Sequence, residues 1–349
     1  VSQSNLRRDP LFGRTVLIAP ERASRPIQTH SPTAPLHADA SLTCPFCPGH
    51  EADTPDPVYC SVRDDRSSWD VRVVPNRFPA VRMPESGGGI DPAMEILVGP
   101  ASLPLFGQHD VIIECPEHVR SLATLPARQV QAVLRAYRAR CLQLRQDSRL
   151  RSATLFKNVG AMAGASLDHS HSQLITLPVV PPLLERKCLA FAEAGPEWGD
   201  SPLARMLEQE KRDGVRWIAE TEHAACFAPY ASRFAYEAWI VPKTPAAHFE
   251  DLGDVPLDEI GLLLHHLLRC LEECLGSPAF NWVIHTAPWH SGGFSRFHWH
   301  LELIPRLHQA AGFEWGTDLI INPTAPEEAA AVYRSHLRSN SGTVAPSTE

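Results

Sequence analysis

GASLDHSHSQLITLP, residues 164–178, decides how the rest of the 349-residue chain is read. Small residues let backbone N–H groups come close to a phosphate, and Ser166 adds a hydroxyl donor. The loop then enters an apolar β-forming run, where residues two apart share a face. His169, His171 and Gln173 therefore project together. A neutral imidazole attacks phosphorus well when its other nitrogen donates to a fixed acceptor. Gln173 can donate to phosphoryl oxygens as charge develops. The reading favoured here has His169 anchored and His171 acting as nucleophile; the alternative is two histidines serving one metal.

The His-x-His strand recurs. DVIIECPEH (110–118) is followed by a helical pattern, then ATLFKNVG (153–160), then HSHSQLITLP. EAWIVPKTPAAHF (237–249) is followed by a helical pattern, then FNWVIHTAP (280–288), then HWHLELIP (298–305). His118 and His169 lie 51 residues apart, and His248 and His298 lie 50 apart. Apolar residues at helical spacing mark helices over 129–144 and 257–275, the second starting near Asp254 and ending before Gly276. The expectation is an α+β fold of two related halves, with mainly antiparallel sheet and flanking helices, covering residues 1–180 and 181–338. Residues 26–43 read as a long surface loop and 339–349 as a disordered tail.

Cys44-Pro-Phe-Cys47 supplies two ligands of the roughly tetrahedral set that zinc needs. Its loop context does not suit a redox pair, which wants a helix start after a strand. His118 and His169 complete the expected first metal site. In the second half, three histidines on neighbouring strands, His285, His298 and His300, with a carboxylate would suit zinc or iron(II).

The bulk composition narrows the partners. A net charge of -8 argues against nucleic-acid backbone as the main partner. No apolar run approaches the roughly 18–20 residues that span a bilayer. The first residues, VSQSNLRRDP, lack a secretory core, and nine scattered cysteines fit reduced thiols in a cytoplasm.

Over residues 5–334 the chain resembles the galactose-1-phosphate uridylyltransferase family of the histidine-triad superfamily. The resemblance rests on LRRDPLFGRTVLIAPERASRP, CPFCPGHE, VVPNRFPA, GASLDHSHSQ and GFEWGTDLIINP, in that order. It implies double displacement: UDP-glucose gives UMP to the histidine matching His171, and galactose 1-phosphate takes it up. It also implies Arg22 and Arg25 near phosphates, and Asn76 and Phe78 at the nucleoside. Asn158, Gly164, Ser166 and Gln173 would line the phosphates, and Phe313, Glu314 and Asn322 the sugar. Zinc would sit on Cys44, Cys47, His118 and His169. A second, structural zinc or iron would sit on His285, His298, His300 and a carboxylate assigned to Glu185. The implied partners are a nucleotide sugar and a sugar 1-phosphate, in a homodimer.

Two features differ from the better-known members, and a third differs from the phosphorylase branch. Their His-Pro-His is His169-Ser170-His171 here, which resembles the branch that includes ADP-glucose phosphorylase, where AMP passes to inorganic phosphate. Arg77 stands where some uridine-specific members carry Asp. The phosphorylase-type relatives have a second CxxC in the region matching 200–215, and this chain has none. Uridylyl transfer is the leading expectation and adenylyl transfer the nearest rival. A zinc-stabilised nucleotide-binding protein without turnover is the reading from another class.

Overall fold

The computed structural model describes residues 4–20, 43–63, 65, 68–84, 105–290, 292 and 294–340, with side chains to residue 338. Arg22, Arg25 and residues 26–42 of the expected surface loop lie outside the described residues.

Among the described residues ten strands form one wholly antiparallel sheet. In the first half these are β3 (Tyr59–Val62), β4 (Trp69–Pro75), β5 (Gln108–Ile113), β6 (Ser152–Val159) and β7 (His171–Leu177). In the second half they are β8 (Trp217–Glu220), β9 (Ala224–Phe227), β10 (Ala238–Pro242), β11 (Phe280–His285) and β12 (His300–Pro305). The order β3-β4-β5-β7-β6 meets β11-β12-β10-β9-β8, so the second half repeats the first in reverse across the β6–β11 seam. Phe280 pairs with Val159 and Ile284 with Leu155 along that seam. A separate three-stranded sheet joins β1 (Asn5–Arg8), β2 (Thr15–Ile18) and the parallel β13 (Ile320–Asn322).

Both expected helices form. α1 spans Ala127–Leu144 and buries Val130, Val133, Leu134, Tyr137 and Cys141, the three-and-four spacing of one helical face. α4 spans Asp254–Leu275 and ends on Gly276, whose φ of 68° is the left-handed cap that a side chain would strain. Three further helices were not evident from periodicity: α2 (Pro182–Glu193), α3 (Pro202–Asp213) and, after the short α5 (Gly312–Thr317), α6 (Pro326–Asn340). The α6 helix runs through Ser339 and Asn340, so it enters the stretch read as a tail; the remainder of that stretch is outside the described residues. Among the described residues no helix is long and apolar enough to cross a membrane.

The alternation along β6 separates the two faces of the sheet. Ala153, Leu155, Lys157 and Val159 are buried, whereas Thr154, Phe156 and Asn158 are half-buried. Cross-strand pairing puts Gln173 beside Phe156, so the histidine strand presents His171 and Gln173 on the more open face. The opposite face packs into the main core with α1 and α4 residues. The two helices approach closely at Gly261, where a Cβ would stand 3.1 Å from Gln131 Cα and 3.2 Å from Gln131 N. Gln131 also donates to the Asp258 carbonyl at 3.1 Å.

Gly261→Leu should therefore force the two helices apart and destabilise the protein by about 1–3 kcal/mol, the usual cost of overpacking. Urea unfolding measures it, with Gly253→Ala as control because a Cβ there meets nothing nearer than 3.8 Å. A Gly261→Leu protein as stable as the parent would contradict this close approach.

Candidate active site and metal centre

Cys44, Cys47, His118 and His169 converge, with one ligand atom from each lying within 4.8 Å of the others. His118 Nδ1 stands 3.2 Å from Cys47 Sγ, and His169 Nδ1 stands 3.5 Å from Cys47 Sγ and 3.6 Å from Cys44 Sγ. His169 donates from Nε2 to the Cys115 carbonyl at 2.8 Å, which turns Nδ1 toward the thiols. A backbone acceptor behind a ligating imidazole is the arrangement that fixes its tautomer and aim. Burial, and then the neighbouring Cys44, push the Cys47 thiol up to about 11. Burial lowers the His169 imidazole to about 4. Two thiolates at this buried point need a cation to balance them, and two neutral imidazoles can share it. The donor set fits a tetrahedral metal ion.

The loop that carries the cysteines also closes over His171. Phe46 lies edge-on to both rings, with centroids 6.0 Å from His169 and 5.4 Å from His171. Phe46, Cys44 and Cys47 pack with Val74, Val111 and Ile113 on the open face of β4 and β5. His171 donates from Nδ1 to the carbonyl of His169 at 2.8 Å. That bond leaves Nε2 as the nitrogen holding the in-plane lone pair. Burial lowers the His171 imidazole as well, so it is neutral at neutral pH.

Gln173 is aimed by a residue that the sequence reading missed. His109 Nδ1 accepts from the Ala80 N–H at 3.0 Å, so Nε2 carries the proton and donates to Gln173 Oε1 at 2.8 Å. With its oxygen taken, Gln173 turns its NH2 group outward as a donor. Asn76 lies 3.1 Å from the same His109 nitrogen, and its Oδ1 accepts from the Phe78 N–H. Phe78 itself is 84% exposed, a flat apolar face in water. The signal for His109 was its place in β5, two residues from Val111, which pairs with Gln173.

Beneath the histidine strand, on the core face, lies a fully buried polar network that sequence patterning did not reveal. Lys157 forms an ion pair with Glu114 and also donates to Ser170 Oγ at 2.9 Å and to the His171 carbonyl at 3.0 Å. Ser170 donates to Glu114 at 2.7 Å, Tyr137 donates to it at 2.8 Å, and Ser172 donates as well. Burial would raise the Glu114 carboxyl, but the Lys157 ammonium and the serine hydroxyls override it and hold the group below the usual range. Ser170 also donates its N–H to the Val119 carbonyl at 2.6 Å. A proline at 170 would lose both that N–H and the hydroxyl, which explains why serine suits this core.

The glycine-rich loop leaves β6 at Gly160, where φ is 80° and an added Cβ would fall 2.2 Å from Arg120 Nη2. Gly164 and Ser166 are exposed in this loop. Asn158 accepts from Asn281 Nδ2 at 2.8 Å across the seam. Thr154, Phe156, Asn158, Asn281, Ile304 and Arg306 line a hollow of about 400 Å³ along the strands next to Gln173. Phe313 and Glu314 sit on α5, whose approach is tethered to the glycine-rich loop by Gln309, 3.3 Å from Met162 Sδ. Glu314 is engaged in capping α5, accepting from Ala311 N–H at 2.9 Å.

Three of the expected residues stand apart from the groups they were expected to join. Asn322 is buried and donates to the Ser232 and Phe234 carbonyls while accepting from the Thr324 N–H, so its amide is engaged by the backbone. Glu185 is exposed on α2 and joins no ligand cluster, because the helix turns Lys187 inward instead. His298 donates from Nε2 to the Pro242 carbonyl at 2.8 Å and faces Ser201 Oγ at 3.1 Å with Nδ1, so both nitrogens are occupied. The carboxylate that does join His285 and His300 is Glu302.

The model of the galactose-1-phosphate uridyl transferase N-terminal domain matches residues 1–181. The ADP-glucose phosphorylase of Arabidopsis thaliana is 36% identical over 341 residues, 94% of this chain and 92% of that protein. The galactose-1-phosphate uridylyltransferase of Thermotoga maritima is 25% identical over 338 residues, 94% and 97% of the two chains. Among solved structures, the Arabidopsis ADP-glucose phosphorylase with bound ADP-glucose superposes with a TM-score of 0.79 at 32% identity, covering 95% of this chain and 99% of its own. A uridylyltransferase structure gives a TM-score of 0.72 at 27% identity, covering 96% and 98%.

Lys157→Met leaves the Glu114 charge buried and unpaired, and should cost about 3–5 kcal/mol of stability. Adding Glu114→Gln to the same chain should recover part of that loss, because the unpaired charge is then removed. Chemical denaturation of the two single variants and the double variant measures the coupling, and additive losses would contradict a coupled pair.

Proposed function

The chain belongs to the galactose-1-phosphate uridylyltransferase family and is a nucleotidyltransferase, and within that family we propose that it carries its nucleotide on Nε2 of His171, with ADP-glucose as donor. The observation behind the first part is the bond from His171 Nδ1 to the His169 carbonyl, which directs the lone pair of Nε2 into the open face. In the first step that lone pair attacks the α-phosphorus. A P–N bond forms, the bond from phosphorus to the bridging oxygen breaks, and glucose 1-phosphate leaves with the electron pair. The imidazole becomes cationic, and its Nδ1 proton already faces a carbonyl oxygen that stabilises it. Gln173 donates its NH2 to the phosphoryl oxygens as their charge grows. In the second step a phosphate oxygen attacks, the P–N bond breaks, and the imidazole recovers its lone pair.

Zinc is the cation that best suits two thiolates and two imidazoles at Cys44, Cys47, His118 and His169. Its role is to fix the cysteine loop and His169, and so to hold the carbonyl that aims His171. We place the sugar-phosphate end of the donor along the hollow beside Gln173, where Asn158, Asn281 and Arg306 offer polar groups.

The adenylyl reading is favoured by the greater likeness to the ADP-glucose phosphorylase, 36% against 25% identity. Uridylyl transfer from UDP-glucose to galactose 1-phosphate is the second reading, supported by the family model over residues 1–181.

Intact-mass measurement at alkaline pH, which preserves phosphohistidine, separates the two. An AMP adduct after ADP-glucose is expected, with release by inorganic phosphate. A UMP adduct from UDP-glucose alone would favour the second reading, and no adduct from either would refute covalent transfer. His171→Asn should abolish the adduct and keep its metal, whereas Cys44→Ser should lose the metal. A His171→Asn protein that lost its metal would show that the two histidines had been assigned the wrong way round.

A further inference from the structure

The second half reproduces the histidine scaffold of the first. His298 donates from Nε2 to the Pro242 carbonyl at 2.8 Å, as His169 does to Cys115. His300 donates from Nδ1 to the His298 carbonyl at 3.0 Å, as His171 does to His169. Glu302 follows His300 by two residues, as Gln173 follows His171. The lone pair of His300 Nε2 is therefore placed as that of His171 is, and His285 lies beside it with ring centroids 4.9 Å apart.

What fills that place is a lysine. Lys187, from α2, has its Nζ 2.8 Å from His300 Nε2 and 2.8 Å from Glu302 Oε1. The second oxygen of Glu302 accepts from Arg233 Nη2 at 2.8 Å and lies 3.2 Å from His285 Nε2. Lys187 is 2% exposed, and its ammonium lies over the rings of Phe12, at 5.0 Å, and Trp239, at 5.7 Å. Aromatic faces attract a cation and add to its retention.

We infer that Lys187 takes the place of the second metal ion implied by the resemblance, so this chain holds one metal per protomer and its second histidine pair is capped. The charge balance and the lone pairs both point this way. Among the described residues the cluster has one carboxylate, Glu302, and two cations, Lys187 and Arg233, already share it. A divalent ion would meet an ammonium within hydrogen-bond reach of its own ligands, in a buried setting where like charges repel strongly. His300 Nε2 is the lone pair such an ion would need, and it already accepts from Lys187. His298 turns its Nδ1 to Ser201 and Glu185 is exposed, so neither is grouped with His285, His300 and Glu302. The same cap makes His300 a poor nucleophile despite its matching orientation. Lys187, Glu302 and Arg233 instead tie α2 to β12 and to the loop before β10.

Elemental analysis of the full chain, expressed with zinc and iron both supplied, tests the inference without reference to turnover. One equivalent of metal per chain is expected, lost in Cys44→Ser and unchanged in His285→Gln. Two equivalents in the parent, one of them lost in His285→Gln, would overturn it. Lys187→Glu removes the ammonium and adds a carboxylate, so the folded variant should gain a second equivalent of cobalt(II), visible as a new ligand-field absorption. A folded Lys187→Glu protein that still takes up one equivalent would refute the lysine as the excluding group. Should that variant not fold, the parent and His285→Gln stoichiometries still decide between the outcomes.

Discussion

One hydrogen bond orients the histidine proposed as nucleophile: His171 Nδ1 to the carbonyl of the residue two before it. It selects the imidazole tautomer, and much of the surrounding structure serves to keep that carbonyl where it is. From one side the His169 ring is held between the Cys115 carbonyl and the cysteine pair, and Phe46 packs on both imidazoles. From the other side Lys157 donates to the His171 carbonyl and to Ser170, while Glu114 collects three hydroxyls and the ammonium. A Cys/His cluster on the open face and an ion pair on the core face thus clamp one short segment. A buried ion pair is seldom a source of net stability, and its value here is better sought in the fixed geometry it imposes.

The repeated halves show how one scaffold can be used twice with different outcomes. Both contain the same pair of histidine-to-carbonyl bonds, and the strands that carry them run on either side of the β6–β11 seam. In the first half the residue two places after the second histidine is glutamine, whose oxygen is taken by His109 and whose amide is left to donate. In the second it is Glu302, which brings in Lys187 and Arg233. A single change of amide for carboxylate, with a lysine one helix away, converts a donor-lined opening into a closed ionic cluster.

The sequence carried the α+β class, both long helices and the four residues of the first metal cluster, because each rests on local spacing or on residue chemistry that is rare by chance. The joining of ten strands into one sheet was not legible, since strand order depends on contacts far apart in the chain. Glu114, Lys157 and Tyr137 were missed for the same reason: Glu114, directly after β5, and Lys157, on β6, are 43 residues apart in runs that otherwise read as apolar. Glu185 is the carboxylate that the resemblance implies after the first His-x-His strand, whereas the internal repeat points to Glu302 through the match with Gln173. The inward face of α2 could not be chosen without the helix, and a two-residue offset turns Glu185 outward and Lys187 inward.

The claim that depends most directly on this geometry is that Nε2 of His171 bears the nucleotide. Phosphorus–nitrogen correlated NMR on the trapped adduct, with the protein labelled with nitrogen-15 in histidine, reads the bonded nitrogen. The account predicts coupling to Nε2 of His171, with the proton retained on Nδ1. Coupling to Nδ1, or to another histidine, would contradict it.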